Sequence, residues 1–218
     1  MKRFALLLIS FAVLLSADLL QERRVLTSAT ILKNILKEPK IGIKKETLHN
    51  AKAIAVFPNL TRSAFFLGGS YGSGILCVKN EKGEWSSPVF VDLKGVSAGL
   101  QFGYESSDTV IIFKTDRSLD GLSNGKITLG IGASAVVFAK GAEAGLKTDD
   151  KLSADIRTYG RSSGAFVGVN LNGATININD NSNFDYYGKL IYVEDILNND
   201  VIKEKSSSSK LKNVLNSF

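Results

Sequence analysis

The feature that most constrains this chain is a two-residue alternation that takes over after about Ala53 and persists to about Asn179, with glycine repeatedly occupying one of the two faces. In VSAGLQFG, Val96, Ala98, Leu100 and Phe102 point one way while Ser97, Gly99, Gln101 and Gly103 point the other. ITLGIGAS sets Ile127, Leu129, Ile131 and Ala133 against Thr128, Gly130, Gly132 and Ser134, and GAFVGVNL places Ala165, Val167, Val169 and Leu171 on one face. Such segments read as half-buried strands. Glycine weakens a strand, so glycines stacked on one face imply that a helix, another strand or a ligand comes close there. Turn signals at Asn80–Gly83, Leu122–Gly125 and Asn172-Gly173 separate the runs. The expected fold is α+β and mostly β: a glycine-rich, antiparallel curved sheet or barrel-like meander with amphipathic helices at its N-terminal side.

Helical periodicity is confined to the flanks. In residues 18–37, Val25, Ala29, Leu32 and Leu36 form one stripe flanked by Leu26 and Ile35, with Arg23, Thr27, Thr30 and Asn34 opposite. Asp18 is a candidate N-cap, and Pro39 with Gly42 marks the end. A second short helix is expected over about Lys45 to Lys52. The last residues, KEKSSSSKLKNVLNSF, read as a Ser-rich spacer and a frayed tail. Against that stands the helical spacing of Leu211, Val214, Leu215 and Phe218.

Length and leader set the organisation. A chain of 218 residues holds one domain with a real core. Met1-Lys2-Arg3, the apolar run Phe4–Leu15 and Ser16-Ala17 follow the order of a secretory signal, with cleavage expected after Ala17 and, since Leu15 is not the small residue favoured there, an uncleaved anchor as the alternative. The expected layout is therefore a signal over 1–17, a domain over 18–198 and a basic tail over 199–218, in a periplasmic or secreted protein. Removing residues 1–17 leaves 25 basic against 21 acidic side chains and lowers the net charge from +6 to +4. That surplus suits weak attraction to anionic lipid. It does not provide the dense basic stripe of a nucleic-acid binder. Cys77 is the only cysteine, so no internal disulfide forms, and inside GILCV it reads as a small buried hydrophobe.

The motifs that carry chemistry fall short on context. Gly68-Gly69-Ser70-Tyr71-Gly72 matches the nucleophile elbow, which needs a strand-to-helix turn and a later histidine. The one histidine, His49, lies upstream, and the glycines continue a strand. Gly130-Ile131-Gly132-Ala133-Ser134-Ala135, with Asp149 and Asp150 beyond, fits a dinucleotide fingerprint only if a helix opens at the glycines. Gly121–Lys126 has the wrong spacing for a Walker motif. One histidine and one cysteine cannot make a structural zinc site. Asn177, Asn179, Asp180, Asn181, Asn183 and Asp185 offer oxygens, without the glycine and terminal glutamate of an EF-hand. Neither an enzyme nor a cofactor is expected.

An ordered set of stretches resembles the SYLF domain family: AKAIAVFP (51–58), GGSYGSGIL (68–76), WSSPVF (85–90), SAGLQFG (97–103), VIIF (110–113), TYGRSSGAFVGVNLNG (158–173), DYYGK (185–189) and DIL (195–197). Coverage runs from about Val25 to Leu197. The resemblance implies a lipid-binding module without catalysis; eukaryotic members recognise phosphoinositides and fungal ones also bind actin. What it implies for an exported bacterial member is recognition of anionic lipid headgroups, with an envelope structural or protein-interaction role as the alternative. Binding in the family is associated with a basic amphipathic N-terminal segment. The matching positions are Arg23, Arg24, Lys33 and Lys37, extended by Lys40, Lys44 and Lys45, with Tyr71, Trp85 and Arg161 as secondary candidates. Ser63-Ala64 stands where glycine is usual, and VVFAKGAEAG (136–145) lacks the Gly-Pro turn of eukaryotic members, so actin binding is the less transferable property.

Overall fold

The computed structural model describes residues 2–37, 45–65, 67–98, 103–129, 134–139, 155–162, 171, 173–199 and 203–217. Helix α1 (Lys2–Lys37) and the short α2 (Lys45–His49) precede the strands β1 (Ala53–Phe65), β2 (Leu67–Val78), β3 (Val89–Ala98) and β4 (Gly103–Phe113). After two 3-10 turns come β5 (Lys126–Thr128), β6 (Ser134–Ala139), β7 (Ile156–Ser162) and β8 (Thr175–Ile178), then α3 (Asp180–Tyr187), α4 (Val193–Asn198) and α5 (Ser206–Leu215). Among the described residues, no helix is long and apolar enough to cross a membrane.

The strands form one curled sheet in the order β5-β8-β3-β2-β1-β4-β7-β6. Every pairing is antiparallel except β6 with β7. β1, β2 and β3 follow as a meander, but β4 returns to the far side of β1, which gives the 4-1-2-3 order of a Greek key. This departs from the expectation for VSAGLQFG. β3 ends within it at Ala98, β4 opens at Gly103, and the two strands are not neighbours. Val96 is 81% exposed instead of half-buried, and Leu100 and Phe102 lie outside the described residues. Ile127 and Leu129 are buried as their alternation requires; Gly130 to Ala133, and Ala165, Val167 and Val169, lie outside the described residues.

The stacked glycines of β2 answer to a neighbouring strand. β1 carries a register shift after Val56 against β2 and after Phe57 against β4. Pro58, which has no N–H to give the ladder, sits in this bulge, followed by Asn59 at φ 54°. The bulge drives β1 onto β2, and a Cβ on Gly72 would stand 2.8 Å from Leu60 Cδ1. The turn predicted at Asn80–Gly83 closes with the Gly83 N–H on the Asn80 carbonyl at 2.9 Å, its glycine at φ 82°.

Both faces of the sheet are covered. On one, Ala53, Ala55, Phe57, Leu76, Val91, Leu93, Ile111 and Phe113 pack with Ile127, Ile176 and, from α4, Val193 and Ile196. On the other, Ile54, Val56, Ile75, Cys77, Phe90, Val110 and Ile112 receive Val25, Leu32 and Ile35 of α1, Tyr186 of α3 and Leu211 and Leu215 of α5. This helical layer carries the candidate site.

Candidate functional site

The apolar stripe predicted for α1 is spent on the protein. Val25 and Leu32 are fully buried, Ala29 and Ile35 nearly so. The opposite side, with Arg23, Thr27, Thr30, Lys33, Asn34 and Lys37, faces solvent. Three of the predicted cations, Arg23, Lys33 and Lys37, thus share an open face.

Arg24 does not join them. Its guanidinium lies 5.7 Å above the centre of the Phe90 ring, and Nη1 donates to Ser182 Oγ at 3.3 Å. Burial lowers its pKa, while Asp92, Tyr71 and Asp185 nearby favour its charge. Asp92 is the centre of this cluster: it accepts from Ser73 Oγ at 2.6 Å and from Asn179 Nδ2 at 2.9 Å. Tyr71 is half exposed, its hydroxyl 3.3 Å from Ser73 Oγ. The structure therefore brings Arg24 and Tyr71 together, as members of a neutralised network that locks α1 to β2, β3 and α3.

The remaining candidates scatter. Trp85 requires correction: it is only 4% exposed, inside the core beneath α1, with Lys79 Nζ 4.7 Å from its ring centre and its carbonyl accepting from Asn199 Nδ2 at 3.2 Å. A side chain so enclosed supports the fold and does not reach a lipid. Lys45 opens α2 and Arg161 sits on β7 in register with Asp108, but neither side chain is among the described ones. Lys40 and Lys44 lie outside the described residues, as do Asp149 and Asp150.

Ser70 is in mid-ladder on β2, opposite Arg62 and Gly95, and not on a strand-to-helix turn. His49 ends α2, exposed, its carbonyl accepting from Lys79 Nζ at 2.8 Å. The Asn-rich run is a helix start and a sheet clamp. Asn179 caps α3 by accepting from the Ser182 N–H, and Asn183, 2% exposed, accepts from the Phe90 N–H at 2.9 Å.

The tail, too, requires correction. Residues 206–215 are helical, so the serines belong to α5 and not to a spacer. Ser207 and Ser208 are each 1% exposed, Leu211 is equally buried, and the Ser207 hydroxyl is 2.8 Å from that of Tyr186. Lys205 forms ion pairs with Asp18 and, at 3.5 Å, with Glu22, and its ammonium lies 4.8 Å from the Tyr186 ring centre. Helical spacing of Leu211 and Leu215 was the signal for this docking. Sequence reasoning missed Lys205 and its two acids, because nothing local links positions so far apart.

A family model described as Ysc84, "Las17-binding protein actin regulator", matches residues 94–218. Among curated proteins, SH3 domain-containing YSC84-like protein 1 of Rattus norvegicus is 30% identical over 177 residues, which cover 81% of this chain and 52% of that protein. LAS seventeen-binding protein 3 of Saccharomyces cerevisiae is 31% identical over 149 residues, 67% of this chain and 32% of its own. Protein YSC84 of the same yeast is 28% identical over 169 residues, 74% of this chain and 36% of its own. The chain thus spans about half the length of the mammalian relatives it matches and about a third of the yeast ones.

Proposed function

The chain belongs to the Ysc84, or SYLF, family, and from that premise we propose that it is an exported, non-catalytic module that binds anionic phospholipid at the cell envelope. The observation that carries this reading is the open cationic face of α1, where Arg23, Lys33 and Lys37 are exposed while the apolar stripe behind them is fixed to the sheet. A rigid row of cations gains about 1 kcal/mol for each Lys or Arg held near an anionic surface, and salt weakens it. Export rests on the Met1–Ala17 leader. The non-catalytic reading rests on the strand setting of Ser70 and on relatives named for binding and regulation.

Pelleting with anionic vesicles tests the proposal. Binding is expected to vanish with neutral vesicles and in high salt; a chain that no vesicle composition recruits ends the lipid reading. N-terminal sequencing of protein recovered from the envelope fraction tests export, with Asp18 as the expected first residue.

A second reading draws on the relatives' names, which refer to binding another protein, Las17. In it the same outer face of α1 meets an envelope protein, and a crosslinked partner that persists in lipid-free extract supports it.

A further inference from the structure

With its apolar stripe consumed by the sheet, α1 has nothing on that side to insert into a bilayer, so apolar contact has to come from elsewhere. The most exposed large hydrophobic side chain of the described residues is Leu190, at 85%, and Tyr192 two residues on is at 80%. Ile191 between them packs against the core and Val193 is buried, so an extended backbone turns Leu190 and Tyr192 outward together. Bare leucine and tyrosine side by side with Lys189 is the composition of an interfacial anchor.

The fold decides where this anchor sits. Arg24 meets Ser182 and Gln21 meets Asp185, so α1 and α3 run antiparallel, and the segment after α3 emerges beside Asp18, where α1 would begin once residues 1–17 are removed. Lys205 brings the start of α5 to the same place through Asp18 and Glu22. A cleft of about 570 Å³ opens there, its charged lining mixed: Glu22 and Glu204 with Lys189, Lys203 and Lys205. On α1 itself Leu19 and Leu20, 54% and 62% exposed, occupy this end. Before cleavage the apolar run Phe4–Leu15 precedes Leu19 in the same helix.

We propose that this end is a lipid-docking tip, in which Leu190 and Tyr192, with Leu19 and Leu20, enter the boundary between headgroups and acyl chains while Lys203 meets lipid phosphates. The proposal rests on the lipid reading above and names the part of the molecule that inserts. At 100° per residue, Leu19, Arg23, Thr30 and Lys37 fall on one side of α1, so the tip and the cationic face can touch a single plane. Lys33 lies roughly 20 Å further along the axis than Leu19, at ~1.5 Å per residue. The tip supplies insertion and the face supplies attraction.

The test uses the chain from Asp18 onward, the form expected after cleavage, carrying Leu190→Cys or Tyr192→Cys labelled with an environment-sensitive fluorophore, and Thr128→Cys, exposed on an edge strand, as the reference. The one native thiol, Cys77, is 2% exposed and does not compete for label. With anionic vesicles the labels at 190 and 192 should shift to the blue and be quenched by spin-labelled lipid, while the label at 128 stays unchanged. Unlabelled Leu190→Ser/Tyr192→Ser should lose roughly tenfold or more in vesicle affinity, with its thermal midpoint retained. If the chain floats with vesicles while the labels at 190 and 192 remain as wet as that at 128, the tip is wrong and the lipid reading stands. If no variant or parent chain floats, both fail. A shift produced by lipid-free envelope extract and not by vesicles makes the surface a protein interface and overturns the proposal.

Discussion

Gly74 lies directly against the backbone carbonyl of Val56: a Cβ built on it would stand 2.2 Å from that oxygen and 2.6 Å from Phe57 Cδ1. The obstacle is backbone, part of the β1 bulge, and cannot swing aside. Gly74→Ala is therefore expected to cost about 3 kcal/mol or more, at the upper end of overpacking penalties. Gly69→Ala, whose nearest neighbour would be 3.9 Å away, should be close to neutral. Urea unfolding of the two variants checks the contrast; equal stabilities would mean that β1 does not press on β2.

Adjacent arginines on α1 are expected to separate binding from stability. Arg23 is exposed, whereas Arg24 stacks on Phe90 and bonds Ser182. Arg24→Ala should destabilise the fold by about 1–2 kcal/mol through the lost cation–π and hydrogen-bond contacts. Reversing Arg23, Lys33 and Lys37 together should leave the melting temperature within a degree or two and reduce anionic-vesicle affinity roughly a hundredfold or more. Vesicle pelleting and thermal melts, run on the same preparations, distinguish the two effects.

This contrast shows what could be read beforehand. Val25, Ala29 and Leu32 announced their burial because a helix repeats its faces within seven residues, and the turn at Gly83 announced itself through its residue types. Strand order did not: whether β4 returns beside β1 or follows β3 is a choice between distant partners, and the alternation of Val96 is the same in either case. Trp85 was misplaced because an aromatic suits a membrane rim and a core equally, and only the packing of α1 decides. Leu190 and Tyr192 carry no periodic warning, since apolar Ile191 and Val193 alternate with them.

Burial also fixes an alkaline limit. The Cys77 thiol is pushed up to about 12 by desolvation, and the Tyr186 hydroxyl, buried beneath Lys205, is likewise raised to about 12. In the unfolded chain the same groups ionise near their ordinary values of 9.0 and 10.0. Their contribution to stability is complete below pH 9 and is lost as pH climbs toward 12, because only the unfolded chain can release those protons. Cys77→Val, similar in volume, should flatten the decline in denaturant midpoint between pH 9 and 11. The parent thiol should resist alkylating reagents at pH 8 until the chain is unfolded.

The C-terminal helix gives the plainest test of how far the domain extends. A loose tail would tolerate any change at Leu211, yet that side chain is 1% exposed in the cluster it shares with Val25, Leu32 and Tyr186. Leu211→Ala should cost about 2–5 kcal/mol, the range for a buried leucine whose cavity does not collapse. Ser207→Ala removes the partner of the Tyr186 hydroxyl at 2.8 Å and should cost about 1–3 kcal/mol, since a buried donor is left unmade. Lys210→Ala, on the exposed side of the same helix, should stay within about 0.5 kcal/mol. Denaturant midpoints for the three variants settle the matter: if all lie together, α5 is not part of the cooperative unit, and the helical layer that positions α1 ends at α3.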